Sequence, residues 1–354
     1  MLRAGPFALK LEPRAGREAG RLPTSVLSLA LSLLAGMPLL LLMGRNPLEA
    51  YGRALAFLST PTGLSNALAL ATPILLISIG LTLAFRANFW NIGAEGQLYL
   101  GAIAATLPVV LGLRGPLLLP LMLLLALGAG ALWGCSAAAL RNLLGMNEVL
   151  TTLMMNYLAI ILTGYLVQGP WRDPRGYGFP LSPAFPPEGT LPSLPGTSLN
   201  MALPLALALA PLVALLLERT TWGFELKSVG QGEQAARYVG MSRLRAHLLA
   251  MGVSGGLSGL AGLVVVSAMV HRLRPIISPG YGYTAIIVAF LAGLNPLAAV
   301  PASLLFGALL VAGDALQASL AIPSSISLVL QALVFLFLAA GELLRRYRIR
   351  FVRA

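Results

Sequence analysis

The feature that most constrains this chain is a series of uninterrupted apolar runs of about 20 residues, long enough as helices to cross a hydrocarbon core roughly 30 Å thick. Strands of a membrane barrel would instead alternate apolar and polar residues over segments of about 10. The runs at 64–84 and 117–140 do not alternate. With 57% hydrophobic and 10% charged residues, there is too little polar surface to cover a water-soluble globule. The expected fold class is all-α: a polytopic helical membrane protein with about 10 transmembrane helices. They are expected near 25–43, 64–84, 91–112, 117–140, 147–168, 200–217, 247–270, 282–294, 297–315 and 325–343.

A net charge of +12 would suggest nucleic acid in a soluble protein, but here the cations have to be placed against the bilayer. With the N-terminus inside, 17 of the 24 lysines and arginines fall on the inner side, as the positive-inside bias requires. Ten crossings also return the Arg-rich C-terminus to that side. The expected environment is therefore the lipid bilayer of the cell (inner) membrane, with no nucleic acid partner.

The expected organisation is a polar, mobile cytoplasmic tail over 1–24, a transmembrane domain over 25–344 and a basic cytoplasmic tail over 345–354. The first apolar stretch reads as a retained span, because no convincing small-x-small cleavage pattern follows it. Two connections are long. The proline-rich segment 169–199, with Trp171, Tyr177, Phe179 and Phe185, falls outside, where it could dock a partner or rest on headgroups. The segment 218–246 falls inside.

No catalytic constellation is present in the sequence. A phosphate loop ends Gly-Lys-Ser/Thr, yet the only lysine before a hydroxyl residue is Lys227, preceded by Leu226. The one Gly-x-Ser-x-Gly match, Gly252-Val253-Ser254-Gly255-Gly256, lies inside an expected span and not at a strand-to-helix elbow, Cys135 has no partner in the chain, and His247 and His271 lie at opposite ends of one span. Neither a metal nor a cofactor is expected, so the energy for any activity comes from a partner subunit or an ion gradient.

Polar residues cluster where two spans begin. Asn91, Glu95 and Gln97 are interrupted by Gly93 and Gly96. Asn147, Glu148, Thr151, Thr152 and Asn156 repeat the arrangement, with Glu148, Thr152 and Asn156 on one helical face that should turn inward. Such groups are costly in lipid unless they face protein or a water-filled path. They either line a translocation path or hold the bundle together by hydrogen bonds. Asp314 joins them as an acid near the end of an apolar run, and with Glu95 it keeps a proton-coupled carrier in view.

Within the inner segment, Gly230 and Gly232 should bracket a turn. Glu233 falls in a first helical turn, where negative charge suits the dipole, and Gln234–Val239 follows as a short helix that Gly240 ends. Two turns are marginal alone in water, so this helix should pack on something. The small Ala235-Ala236 pair would let a partner come close.

The stretch 228–242, Ser-Val-Gly-Gln-Gly-Glu-Gln-Ala-Ala-Arg-Tyr-Val-Gly-Met-Ser, resembles the cytoplasmic coupling loop of ABC importer permeases of the branch serving branched-chain amino acids, simple sugars and nucleosides. Residues 85–102 resemble a second signature of that branch, with Trp90 in place of the usual Phe before Asn91. Residues 147–157, Asn-Glu-Val-Leu-Thr-Thr-Leu-Met-Met-Asn-Tyr, resemble a third, found most often in the purine nucleoside type. The resemblance spans roughly 60–340.

It implies a type II ABC importer permease-like fold that encloses a path with a second permease subunit. It also implies separate ABC ATP-binding subunits, coupled through Gly230, Glu233, Ala235, Ala236, Arg237 and Gly240, and an extracytoplasmic substrate-binding protein. Nucleosides come first as substrate, then simple sugars and branched-chain amino acids.

Overall fold

A computed structural model of the chain describes residues 2–4, 7–13, 21–320 and 323–353. The helices are α1 (Arg21–Leu42), α2 (Pro47–Leu58), α3 (Pro61–Arg86), α4 (Ala94–Val110), α5 (Leu118–Leu144), α6 (Glu148–Gln168), α7 (Ala202–Arg219), α8 (Thr221–Gln231), α9 (Glu233–Tyr238), α10 (Arg243–Val264, continued by a π-helical stretch Val265–Val270), α11 (Tyr281–Leu291), α12 (Pro296–Leu320) and α13 (Ser324–Arg346). Each expected span has a helix at its place. Six of these helices are long and apolar enough to cross a membrane, or seven if the bent pair α1–α2 is counted as one span. The eighth expected span is the least regular: α11 has only 11 residues.

The chain forms two compact units, one over Leu64–Ala308 and one from Met1–Gly63 with Leu309–Ala354. In the unit made by the chain ends, α1 lies against α13. The path of α1 bends by 116° into α2, a helix the sequence reading does not contain. Its start is well specified, since the Asn46 side chain accepts from Leu48 N–H at 3.0 Å and Pro47 takes the first helical position, where no amide is needed. Within the stretches expected as a mobile N-terminal tail (1–24) and a basic C-terminal tail (345–354), the described residues include three strands. β1 (Leu2–Ala4), β2 (Phe7–Pro13) and β3 (Tyr347–Arg353) form an antiparallel sheet in the order β1-β2-β3, in register from Phe7↔Arg353 to Pro13↔Tyr347. Strand pairing satisfies backbone groups that a free tail would leave to water.

The larger unit is built around α10, which packs on α4 and α5. Its approach is set by small residues. A Cβ on Gly259 would meet the Ala126 carbonyl, and one on Gly130 the Gly255 carbonyl, so the spaced glycines bring two backbones together as they do in other membrane helices. The apolar windows of α3 and α10 are each 83% buried, against 28% for α5. The proline-rich segment 169–199 is strapped to neighbouring ends of this unit. Ser182 N–H donates to Leu273 O at 3.1 Å and Phe185 N–H to His271 O at 3.0 Å, Ser267 Oγ donates to Gly189 O at 2.7 Å, and Ser198 N–H donates to Ser65 Oγ at 2.7 Å. Tyr177 stays 97% exposed at its tip.

Candidate functional site

Two sites emerge within the larger unit, a buried polar knot where α4 begins and a polar relay under the short helix α9.

Between α3 and α4 the chain leaves the helix over 87–93, with Asn88 at φ +55°. α4 then starts at Ala94, and Gly93 at its N-cap offers no side-chain acceptor. The free amides of a first helical turn need partners from elsewhere, and α6 supplies one. Asn156 Oδ1 accepts from Gly96 N–H at 2.7 Å, while Asn156 Nδ2 donates to Ile92 O at 2.9 Å and to Tyr283 Oη at 3.2 Å. Thr152 Oγ1 accepts from Ile92 N–H at 3.3 Å. Asn91 and Gln97 exchange two bonds, at 3.1 and 3.2 Å, and Asn91 Nδ2 also donates to Ser254 Oγ at 3.1 Å. Glu95 Oε2 accepts from Gly282 N–H at 2.6 Å. None of Asn91, Glu95, Gln97, Thr152 and Asn156 is more than 2% exposed.

Five of the polar residues singled out in the sequence therefore meet in one knot that fastens α4, α6, α10 and α11. Four do not join it, among them Thr151, which is buried on α6. Asn147 caps α6 from an exposed position, accepting from Val149 and Leu150 N–H at 3.0 and 3.2 Å. Glu148 faces Arg141 at 3.4 Å instead of completing the inward face with Thr152 and Asn156, because it lies at the helix end, where an arginine is in reach. Asp314 lies exposed on α12.

The segment 218–246 agrees with the sequence reading at its end and departs from it at its start. α9 covers Glu233–Tyr238, and Gly240 sits at φ +84°, the left-handed conformation that closes a helix with least strain in glycine. Gly230, however, is not in a turn. It lies within α8, and a Cβ there would meet the Arg86 carbonyl, so its role is to let α8 press on the end of α3. The break falls at Gly232, which is extended at φ −168°. Ala236 is buried at 4%, so of the alanine pair only Ala235 faces outward. Arg237 is also exposed, as are Tyr238 at 97% and Val239 at 76%.

Under α9 runs a chain of polar contacts that the sequence reading did not contain. Glu233 pairs with Arg243 at 2.6 Å, Arg243 Nε donates to Asn142 Oδ1 at 2.8 Å, and Asn142 Nδ2 lies 3.1 Å from His247 Nδ1. His247 Nε2 lies 3.2 Å from Ala87 O. A carbonyl can only accept, so Nε2 carries the proton and Nδ1 accepts from Asn142. Beside it, Arg141 donates to Asn88 O at 2.9 Å and stands 4.9 Å over the Phe89 ring. The relay thus runs from α9 through α10 and α5 to the non-helical stretch that leads into the knot. A cleft of about 680 Å³ opens beside it, lined in part by Asn142, Glu233, Arg237 and Gly240. In sequence, Asn142 and Arg243 look like ordinary residues flanking spans, and His247 is considered only as a metal ligand.

The family profile described as branched-chain amino acid transport system, permease component, matches residues 63–339. The chain is 35% identical to the glucose ABC transporter permease protein TsgB13 of Haloferax volcanii, over 92% of this chain and 89% of the relative. It is 32% identical to the guanosine ABC transporter permease protein NupP of Bacillus subtilis, over 79% of this chain and 80% of the relative. It is 27% identical to the nucleoside ABC transporter permease protein NupB of Lactococcus lactis, over 89% of each. A solved inward-facing ABC transporter of the metal-chelate type aligns with 90% of this chain at a TM-score of 0.48 and 19% identity. The profile match over most of the chain, together with the 35% identity to a permease across nearly its full length, places this protein in that family, as the multi-pass permease component of an ABC importer.

Proposed function

We propose that this permease carries nucleosides inward across the cell (inner) membrane. It would form the path with a second permease subunit, take substrate from an extracytoplasmic binding protein, and draw its energy from ATP-binding subunits that dock on α9. The observation that carries the substrate class is the 147–157 segment of the nucleoside type, together with similarity to permeases named for guanosine and nucleosides. The similarity to a glucose permease favours a second reading, simple sugars.

The geometry of the relay supports a route for coupling. A partner that moves the exposed face of α9 pulls on Glu233, and Glu233 is joined by Arg243, Asn142 and His247 to Ala87 O, at the head of the break before α4. Gly230, Glu233 and Ala236 hold α9 to the rest of the unit, and Ala235 and Arg237 present it outward. The buried knot of Asn91, Glu95, Gln97, Thr152 and Asn156 keeps α4, α6, α10 and α11 moving together, since its side chains bond across these elements to Ser254, Gly282, Tyr283 and the backbone at Ile92 and Gly96. The test is ATP-dependent uptake of labelled guanosine and of labelled glucose by the reconstituted complex, each competed with the other. Guanosine uptake that excess glucose does not inhibit supports the nucleoside reading, and the reverse pattern replaces it with sugars.

A further inference from the structure

The eighth expected span is helical only in its second half, and the first half is extended chain. The helix beside it gives its depth. α10 with its π-helical end runs 28 residues, from Arg243 to Val270, and is long and apolar enough to cross a membrane. α4 lies along it, with Asn91 Nδ2 bonded to Ser254 Oγ and Gly101 so close that a Cβ there would meet Gly259. Glu95, between those two positions, therefore stands level with the middle of α10, about 20 Å from either end at 1.5 Å per residue. The start of α11 is held at that level: Gly282 N–H donates to Glu95 Oε2 at 2.6 Å, and a Cβ on Gly282 would meet the Glu95 backbone. From there α11 runs toward the Arg243 end, since Leu294 O, just beyond it, accepts from Arg86 Nε at 2.9 Å, next to Ala87, whose carbonyl lies by His247.

Residues 271–280 are left to run from the Val270 end of α10 to its middle. As a helix they would cover about 15 Å, and as extended chain up to about 33 Å. Pro275 and Pro279 decide for the extended form, because neither has an amide for a helix and each disfavours helical backbone at the residue before it. One side of the segment is pinned. Leu273 N–H donates to Ser182 Oγ at 2.9 Å, Ile277 N–H donates to Tyr99 Oη at 3.3 Å, and Leu273, Ile277 and Ser278 are buried. The other side is open, with Ile276 74% exposed and Arg274 and Pro279 exposed as well. Among the described residues, the carbonyls of Arg274, Pro275, Ile276 and Pro279 have no hydrogen-bond partner.

An unpaired backbone group costs several kcal/mol against lipid, and irregular backbone at membrane depth is stable only where it is buried in protein or lines a water-filled cavity. This edge is not buried in its own chain. It also carries the Arg274 guanidinium, which has no acidic partner among the described residues and so favours water over lipid or a dry subunit contact. Resting on the reading that solute crosses through this permease, we infer that the open edge of 274–279 is a wall of the path, and that its free carbonyls accept hydrogen bonds from the hydroxyl groups of the solute's sugar. A nucleoside and a free sugar share that chemistry, so the wall suits either one.

The experiment uses the full complex in lipid nanodiscs, with Cys135→Ser so that one introduced thiol reports for this chain, and labelling is read on this chain alone. Ile276→Cys and Pro279→Cys should react with a charged, water-borne thiol reagent, since a thiol in water forms the reactive thiolate, and Ile277→Cys on the pinned side should not. Guanosine, or glucose if that is what the complex takes up, should slow the reaction at position 276 severalfold. In a complex that takes up guanosine, 2′,3′-dideoxyguanosine, which keeps the base and lacks two sugar hydroxyls, should protect less. An unreactive Ile276→Cys in a complex with normal uptake overturns the wall and puts this edge under a second subunit or in lipid. Reaction that the transported solute does not slow overturns it too, and equal protection by the dideoxy compound overturns the role given to the carbonyls. Uptake of glucose alone, with protection by glucose and not by guanosine, supports the wall while overturning the nucleoside reading.

Discussion

Replacing Asn156 by Ala separates a bundle-holding role for the polar knot from a substrate-contact role. The side chain is wholly buried and makes three bonds, to Gly96 N–H, Ile92 O and Tyr283 Oη. Truncation leaves the first two, both backbone groups, without that partner. A buried group stripped of its bond costs about 1–3 kcal/mol, whereas hydrogen bonds between membrane helices average about 0.6 kcal/mol each. Three bonds bracketed by those values give a loss of about 2–5 kcal/mol. On the scaling of soluble domains, that lowers the unfolding midpoint by about 5–10 °C. The assay is thermal unfolding in mild detergent, followed by size-exclusion chromatography of the heated samples, with guanosine uptake measured alongside. A midpoint unchanged within a degree together with a raised KM would refute the reasoning, because a residue that only touched substrate would behave that way.

Three further outcomes are expected. Glu233→Gln and Arg243→Gln should each lower uptake per ATP hydrolysed severalfold with little change in unfolding midpoint, since a half-exposed ion pair contributes only about 0–1 kcal/mol; loss of both stability and ATPase association would make the pair merely structural. Gly230→Ala, whose new methyl would meet the Arg86 carbonyl, should destabilise by about 1–3 kcal/mol through overpacking, visible as reduced yield of folded protein and a lower midpoint. Asp314→Asn should leave uptake unchanged, with uptake in an ATP-loaded vesicle insensitive to a protonophore; strong loss in either measurement would return Asp314 to a proton-coupled role.

The sequence carries the spans plainly because hydrocarbon thickness demands long apolar helices, and nothing else in the chain competes with that signal. It reads α9 and its ending at Gly240 for a local reason: a glycine after a short run of helix formers has few other uses. Gly230 is misread as a turn residue because a glycine needed for close approach looks the same in one dimension as a glycine needed for its backbone freedom. The bend from α1 to α2 is missed since α2 is too short to register as a span. The knot is half legible. Asn91, Glu95, Gln97, Thr152 and Asn156 stand out as polar residues in apolar surroundings, but which of their neighbours join them depends on contacts across more than 60 positions, as Asn156 to Tyr283 does. The relay through Asn142 and His247 is of the same kind, since each partner is unremarkable until the fold brings them together.

The central claim is that transport through this chain is driven by ATP on a separate subunit that engages α9. The most direct measurement is purification of the chain in mild detergent from its native membrane, identification of what comes with it, and uptake by the reconstituted complex with ATP, with a non-hydrolysable analogue, and with a proton gradient alone. Co-purification of an ATP-binding subunit and uptake only with hydrolysable ATP is the predicted result. A lone chain that moves solute when a proton gradient is imposed, without ATP, would contradict the account.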